Sequence, residues 1–192
     1  MGNLAMVLGV LAGLIQLTGY WQYHKVMITH DGHKPNAASW FMWGVGGIVE
    51  LVIYAALVDD HSKEILPAVC AVVAVILFLR VWWREHSFRL NLEDWIIISC
   101  DFVVVAFWFL TKNPYAANAL LGLDMVLSFV PILRSTLENP KNEHPAPWKT
   151  WTIAYTVLTL VVVLQWENAW ELIYPVTYLV LHGAIWYITR KS

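Results

Sequence analysis

Charged residues are scarce in this sequence, where only 14% of the 192 residues are Asp, Glu, Lys or Arg and 59% are hydrophobic. A typical soluble domain carries about 25% charged residues. The net charge of -2 also gives no basic surface of the kind that nucleic-acid binding needs. The composition therefore argues against a nucleic-acid-binding protein. It predicts an integral membrane protein whose main partner is the lipid bilayer.

Cysteine is rarer still, and the sequence contains only Cys70 and Cys100. Both lie within apolar runs, so we expect free thiols in the protein core and no disulfide framework. The amino terminus lacks the basic region and the small-residue cleavage site of a secretory signal peptide. The first apolar run is therefore predicted to be a retained helix.

Residue arrangements that would indicate catalysis or a cofactor are also missing. The sequence has no Ser–His–acid or paired-cysteine constellation, so no enzyme is predicted. All seven lysines lie in loops, at span ends or in the tail, which excludes a retinal Schiff base. His182 is the only mid-span histidine, so no haem is expected. The loop 24–34 holds three histidines and Asp31, but no second ligand cluster has matching spacing, and we predict no metal site.

What the sequence does have is long apolar runs. A helix needs about 20 apolar residues, at a rise of about 1.5 Å each, to cross a bilayer. None of the runs shows the two-residue alternation of a membrane β-strand. We therefore predict an all-α integral membrane protein with seven transmembrane helices, at 4–23, 39–58, 65–81, 95–110, 116–133, 148–165 and 172–188.

Basic residues are distributed unevenly between the two sides that seven spans define. The amino terminus and the even-numbered loops carry only Lys63 and Lys112, whereas the other side carries ten lysines and arginines. Because basic loops stay in the cytoplasm, the amino terminus is predicted to be outside and the carboxyl terminus cytoplasmic. The membrane would be the cytoplasmic (inner) membrane or another cellular membrane.

The chain also contains an internal repeat. Segments 13–25 (GLIQLTGYWQYHK) and 122–134 (GLDMVLSFVPILR) start 109 positions apart (122 − 13), and both begin Gly-Leu and end in a basic residue. A Trp-x-x-Trp motif occurs twice at an offset of 108 (148 − 40), and the prolines of EILP and ELIYP are also 108 apart (175 − 67). The matched residues are Trp40 with Trp148, Trp43 with Trp151, and Pro67 with Pro175.

These matches predict that helices one to three are duplicated as helices five to seven. A single linker helix keeps the second triple in the orientation of the first, so the repeats are parallel. The predicted arrangement is 3+1+3, with a first repeat at 1–83, a linker helix within 84–112 and a second repeat at 113–192. Transporters built from such repeats bind their substrate between them, near the bilayer midplane.

This arrangement, the external amino terminus and the repeat spacing resemble the PQ-loop superfamily, which includes the SWEET sugar transporters and lysosomal amino-acid exporters. In that superfamily a Pro-Gln dipeptide ends the first helix of each repeat. Here the first repeat has Trp21-Gln22 and the second has Pro131-Ile132, so each keeps half of the dipeptide. The resemblance implies a small multi-pass secondary transporter that works by alternating access.

The resemblance also implies hinges and a class of substrate. Pro131 would act as a hinge together with Pro67 and Pro175, and Gln22 occupies the corresponding position in the first repeat. Sugar-transporting members carry a pocket Asn on the third helix of each triple, but 65–81 has none. Other members use membrane aspartates for proton coupling. We therefore expect a small polar solute that is proton-linked or cationic, in preference to a neutral sugar.

Polar residues in the middle of spans are the candidates for the site, because a charge there costs about 2.5–3.5 kcal/mol. Glu50 and Asp124 are predicted to be proton-coupling and substrate-binding groups, with hydrogen-bonded packing as the alternative. For His182 a proton relay and a buried packing role are equally open. Asp101 is assigned to holding the linker helix against a repeat.

Helical spacing adds neighbours on the same faces as these groups. The predicted substrate-binding set is Gln16, Glu50, Tyr54, Asp124, Tyr178, His182 and Trp186. Most other tryptophans are interpreted as an aromatic belt at the membrane surface, including Trp40, Trp43, Trp148 and Trp151 near the cytoplasmic ends of spans.

A second function stays open at this point. A non-transporting membrane scaffold, receptor or accessory subunit could have the same fold, and a homo-oligomer is open as well. A transporter needs a water-filled pocket around Glu50, Asp124 and His182, whereas a scaffold would bury these side chains in dry packing.

Overall fold

Helices make up all the regular structure in the computed structural model, which describes residues 2–29, 37–85 and 92–190. No strand occurs within these ranges. The prediction of an all-helical chain with seven helices at the apolar runs is confirmed. They are α1 Gly2–Thr29, α2 Ala37–Ala55, α3 Ile65–Glu85, α4 Leu92–Thr111, α5 Pro114–Glu138, α6 Pro145–Leu164 and α7 Ile173–Thr189.

The helix ends follow from local chemistry. α2 ends at Ala55, three residues before the predicted limit, because the amides of Leu57 and Val58 both donate to the carbonyl of Tyr54 and close a turn. α5 begins after Asn113, whose side-chain oxygen accepts hydrogen bonds from two amides of the first turn, and a proline follows at the first helical position. Both features are typical of helix starts.

The length and apolar character of the helices fit a multi-pass membrane protein. In the described ranges five helices are long and apolar enough to cross a bilayer, and two further apolar helices are shorter. Many large apolar side chains point outwards, such as Leu110 and Trp83. A bilayer would cover them. The five long spans are Gly2–Met27, His61–Trp83, Pro114–Glu138, Pro145–Leu164 and Ala169–Thr189, and the shorter ones are Trp40–Ala55 and Trp95–Thr111.

Helix packing brings the two halves of the chain together. α3 contacts both α1 and α2, and α7 contacts both α5 and α6. The two groups of three meet where α1 lies along α6 and where α2 lies against α5. α4 contacts only α2 and α5 extensively, so it lies at the side of the bundle.

Two glycines allow close contacts in corresponding places. A Cβ added to Gly13 of α1 would lie 3.0 Å from Cγ2 of Ile65, and one added to Gly122 of α5 would lie 2.6 Å from Cγ2 of Ile173. Ile65 and Ile173 are the first residues of α3 and α7. The two Gly-Leu segments of the sequence therefore make the same kind of helix contact.

The bundle has two ends, which we name by one residue each. The connections α2–α3 and α6–α7 lie together at the Lys63 end, because Lys63 Nζ forms an ion pair with Glu171. The α5–α6 connection lies at the opposite end, the Glu143 end. The positive-inside prediction places the Glu143 end in the cytoplasm.

Candidate functional site

A cavity lies at the centre of the bundle, where the two groups of helices meet. Its volume is about 40 Å³, which is room for a few water molecules. Every described α-helix except α4 contributes to its lining. Its aromatic walls come from Tyr20, Trp40, Trp43, Phe129, Trp148, Trp151, Tyr155 and Tyr178, and its polar groups from Gln16, Glu50, Cys70 and His182.

Two tryptophan pairs with nearly the same geometry form part of the cavity wall. The rings of Trp40 and Trp43 meet edge to face at 5.1 Å and 88°. Those of Trp148 and Trp151 meet at 5.0 Å and 84°. Tyr20 contacts both Trp40 and Trp151. Aromatic pairs prefer such edge-to-face contacts.

The interpretation of these four tryptophans as part of an aromatic belt is wrong. Trp40 and Trp151 are only 2% exposed, Trp148 is fully buried, and Trp43 lines the cavity. Position along the span indicated the membrane surface, but the side chains point into the bundle. The repeated Trp-x-x-Trp motif was the signal that could have identified them as a matched pair of cavity walls.

Glu50 lies in the cavity wall with little compensation for its charge. It is 3% exposed, and the Tyr178 hydroxyl donates a hydrogen bond to its Oε2 at 3.2 Å. Within the described part of the chain, Oε1 has no hydrogen-bond partner. No lysine or arginine among the described residues lines this cavity. A buried carboxylate in this situation needs a proton or a cation from outside the protein.

His182 lies on α7 one turn after Tyr178, the hydrogen-bond partner of Glu50. Its Nδ1 is 2.8 Å from the backbone carbonyl of Tyr178. A carbonyl can only accept, so Nδ1 carries the hydrogen. In the neutral ring Nε2 is then left as the acceptor. The imidazole also stacks on Tyr155, with ring centres 5.1 Å apart.

A polar path leaves the cavity towards the Lys63 end. Gln16, which is 1% exposed, donates from Nε2 to Cys70 Sγ at 3.2 Å. Cys70 Sγ lies 3.4 Å from the hydroxyl of Tyr155, which lies 3.3 Å from that of Tyr174. Gln16 Oε1 has no partner among the described residues.

Three residues of the predicted substrate-binding set, Tyr54, Asp124 and Trp186, lie outside the cavity lining. Tyr54 is fully buried closer to the Lys63 end, where its hydroxyl donates to the backbone carbonyl of Glu171 at 3.2 Å. Trp186 packs, partly buried, against the aromatic cluster around the cavity. Gln16, Glu50, Tyr178 and His182 are the members of the set that line the cavity.

Asp124 lies beside a second and smaller cavity of about 20 Å³, which Glu50 and Tyr178 also line. The carboxyl group of Asp101 on α4 lines the same cavity. Two neighbouring buried carboxylates repel each other, so one of them is expected to hold a proton. Oδ1 of each aspartate has no partner in the described structure. Asp101, assigned to helix packing from the sequence, is therefore a neighbour of Asp124.

The four hinge candidates lie in three different settings. Pro131 is inside α5, so the Leu127 carbonyl lacks its helical amide donor. Pro67 and Pro175 lie in the first turns of α3 and α7, where an amide has no helical partner anyway. Gln22 Oε1 accepts from the Thr150 hydroxyl at 2.8 Å, so it ties α1 to α6.

A buried ion cluster closes the Lys63 end. Lys63 is 0% exposed, and its Nζ lies 2.8 Å from Glu167 Oε1 and 2.7 Å from Glu171 Oε2. Glu171 is also fully buried and accepts a further bond from Asn168. From its position in the sequence, Lys63 is predicted only as a loop charge. Its separation of 108 from Glu171, which equals the repeat offset, was the available signal.

At the opposite end, Glu143 contacts a cavity wall. Trp148 donates from Nε1 to Glu143 Oε2 at 3.0 Å. Burial raises the pKa of Glu143 to about 7, although the hydrogen bond from Trp148 acts in the lowering direction. A loop carboxyl that titrates near neutral pH is thus linked directly to the cavity lining.

Metal binding finds no support in the described ranges. No group of three or more His, Cys, Asp or Glu side chains there is placed to hold a metal ion. His30, Asp31 and His33 of the histidine-containing loop lie outside the described residues.

Comparisons with known proteins give no match. No protein-family model matches the chain, and neither do the curated proteins or the solved structures that were compared with it. The resemblance to the PQ-loop superfamily therefore stays a prediction. Any functional assignment has to be argued from the cavity itself.

Proposed function

We propose that the protein is a small secondary transporter that moves a small polar solute by alternating access. The observation that carries this proposal is the central cavity. It lies between two groups of three helices, and it contains a buried carboxyl group, Glu50, with one oxygen unpaired. Membrane-embedded acids on a bundle interior mark substrate or ion pathways by default.

The 3+1+3 repeat arrangement, with repeats at 1–83 and 113–192 and a linker helix within 84–112, belongs to the same proposal. It is supported by the matching contacts of α3 with α1 and α2 and of α7 with α5 and α6. The glycine contacts at Ile65 and Ile173 and the two tryptophan pairs give further support. Alternating access needs two such units that rock around a site between them.

Different sets of side chains close the cavity towards the two ends of the bundle. Towards the Lys63 end, a layer of buried side chains that includes Tyr54, Leu66 and Tyr174 separates the cavity from the ion cluster. Towards the Glu143 end, Tyr23 and the tryptophan pairs cover it. In the proposed cycle the protein opens first at the Glu143 end, because opening at the other end has to break the buried ion cluster of Lys63.

Proton linkage is the second part of the proposal. Glu50 would carry a proton in one step of the cycle and release it in another. One of the neighbouring carboxyl groups of Asp101 and Asp124 is expected to hold a proton, and the smaller cavity that both line is also lined by Glu50. This pair is therefore proposed to exchange its proton with Glu50.

The test is charge movement in proteoliposomes during pH steps, with a panel of small solutes. Wild type is compared with Glu50→Gln, and the exposed Glu138 provides the matched control variant Glu138→Gln. We expect a solute-dependent current in wild type and in the control, and its loss in Glu50→Gln.

A silent wild type across sugars, amino acids and amines would overturn the transporter proposal. It would favour the second candidate, a membrane scaffold or accessory subunit, for which the small size of the cavity is the supporting observation. In that case Glu50→Gln would change thermal stability alone.

A further inference from the structure

The cavity combines aromatic walls with a buried carboxyl group. Its two tryptophan pairs each form a right-angled corner, and Tyr155 and Tyr178 stack beside them. Aromatic rings attract cations through their quadrupoles, most strongly for tryptophan, and such rings form the cages that bind ammonium groups. An aliphatic cavity of the same size would offer no such attraction.

The charge balance of the lining also favours a cation. Among the described residues, Glu50 is the only acidic residue of the lining, and no lysine or arginine faces the cavity. The His182 Nδ1 hydrogen is already donated to a carbonyl. An anion would meet an uncompensated carboxylate, and a neutral solute would require Glu50 to hold a proton, whereas a cation compensates the carboxylate directly.

The hydrogen-bonding atoms of the lining residues that lack a partner narrow the choice of ligand further. Within the described structure, two buried atoms without a partner are acceptors, Glu50 Oε1 and Gln16 Oε1, and one is a donor, Trp43 Nε1. His182 Nε2 is a further acceptor of the lining, because Nδ1 carries the ring hydrogen. The matching ligand has a group with several N–H donors and one acceptor oxygen. A primary ammonium group next to a hydroxyl has this pattern.

The size of the cavity sets a limit on the ligand. A volume of about 40 Å³ has room for about three water-sized groups. A ligand of a few non-hydrogen atoms therefore fits without further opening of the helices.

We propose that the cavity binds a small hydroxyalkylammonium ion, with Glu50 as the counter-charge and the tryptophan pairs as the cage. This inference rests on the proposed function, because it names the substrate class of the proposed transporter. Trp43 then donates to the hydroxyl oxygen, while Gln16 and Glu50 accept from the ammonium group.

The test compares two probes of the same shape, ethanolammonium chloride and 1-propanol, which differ mainly in the charged group. Each is titrated into the full chain in lipid nanodiscs at pH 7 and constant ionic strength, and tryptophan fluorescence and the thermal midpoint are recorded. We expect a saturable response to ethanolammonium and at least a tenfold weaker one to 1-propanol. Glu50→Gln should lose at least tenfold in ethanolammonium affinity, whereas Glu138→Gln should not.

Three results would overturn the inference: an equal response to 1-propanol, no saturable response to either probe, or an equal response to sodium chloride. The comparison of the two probes uses wild type, so it stands even if Glu50→Gln fails to fold. Uptake of radiolabelled ethanolammonium into proteoliposomes separates the two proposals. Binding of ethanolammonium without uptake would support the inferred ligand class and overturn the transporter proposal. Uptake of neutral solutes without a preference for cations would support transport and overturn the inferred ligand class.

Discussion

At the scale of single residues, buried charges occur in two contrasting settings. Removing an ion from water costs several kcal/mol unless partners compensate for it. Lys63 has two carboxylates within 2.8 Å, whereas among the described residues Glu50 has only the hydroxyl of Tyr178 as a hydrogen-bond partner. The first setting is suited to holding structure together. The second setting leaves a carboxyl group that can bind and release a proton or a cation.

The ion cluster at the Lys63 end makes a prediction about stability. Lys63→Met leaves Glu171 buried without its cation, so the free energy of unfolding in detergent micelles should fall by about 3–5 kcal/mol. The double variant Lys63→Met/Glu171→Leu removes both fully buried charges of the cluster and should recover most of this loss of stability. The exposed Lys112 provides the control Lys112→Met, with a change below about 0.5 kcal/mol. A single variant as stable as wild type would contradict a structural role for the cluster.

Glu143 makes a prediction about pH. Its folded-state pKa of about 7 lies above its ordinary value of 4.5, so between these values the folded state binds the proton and the unfolded state does not. Its contribution to stability is therefore fully present below pH 4.5 and is lost as the pH rises to about 7. Tryptophan fluorescence should show a transition near pH 7 that Glu143→Gln removes. An unchanged transition in Glu143→Gln would assign it to another group.

At the scale of helices, a substitution of Pro131 can test helix bending separately from ligand binding. Pro131→Ala gives residue 131 an amide that can bond the Leu127 carbonyl, and it should stabilise α5 by up to about 3 kcal/mol. If α5 bends during transport, solute turnover should fall while affinity stays the same. Pro114→Ala is the control, because an amide at the first position of α5 has no helical partner and the change should be nearly neutral. Turnover that is equal in both variants would exclude Pro131 as a hinge.

The close helix contacts make a separate prediction. A Cβ at Gly122 would overlap Cγ2 of Ile173, an atom that cannot move away without rotating a β-branched side chain. Gly122→Ala should therefore destabilise the protein by about 1–3 kcal/mol. Gly183→Ala meets only an ordinary contact at 3.7 Å, so it should be neutral or mildly stabilising. Thermal unfolding of the two variants side by side decides the point.

At the scale of the whole molecule, Cys70 can report which end is open. Cys100→Ser leaves Cys70, which lines the cavity, as the one thiol in the chain. A membrane-impermeant thiol reagent should reach it slowly from either side of a proteoliposome. Adding Lys63→Met should speed labelling severalfold from the Lys63 side and slow it from the Glu143 side. Faster labelling from both sides would indicate loosened packing instead of a shift between two states.

The sequence was sufficient to predict the helices but not their contacts. Apolar run length determined the seven helices, because a bilayer fixes how many residues a span needs. It could not pair Asp101 with Asp124, because that contact depends on how α4 and α5 are rotated against each other. The same limit explains why the sequence predicts Trp148 at the membrane surface, and why Tyr54, which is predicted for the substrate site, lies outside the cavity lining.

The two tryptophan walls are alike, but the polar groups between them are not. At the repeat offset of 108, Glu50 corresponds to Leu158 (158 − 50) and His182 to Ala74 (182 − 74). A homodimer of residues 1–83 would thus enclose two facing carboxylates and no mid-span histidine, and one of residues 113–192 would enclose two histidines without Glu50. Neither symmetric assembly could reproduce the proposed site, which distinguishes the two ends of its ligand. In this proposal, the single chain holds one ligand in one orientation.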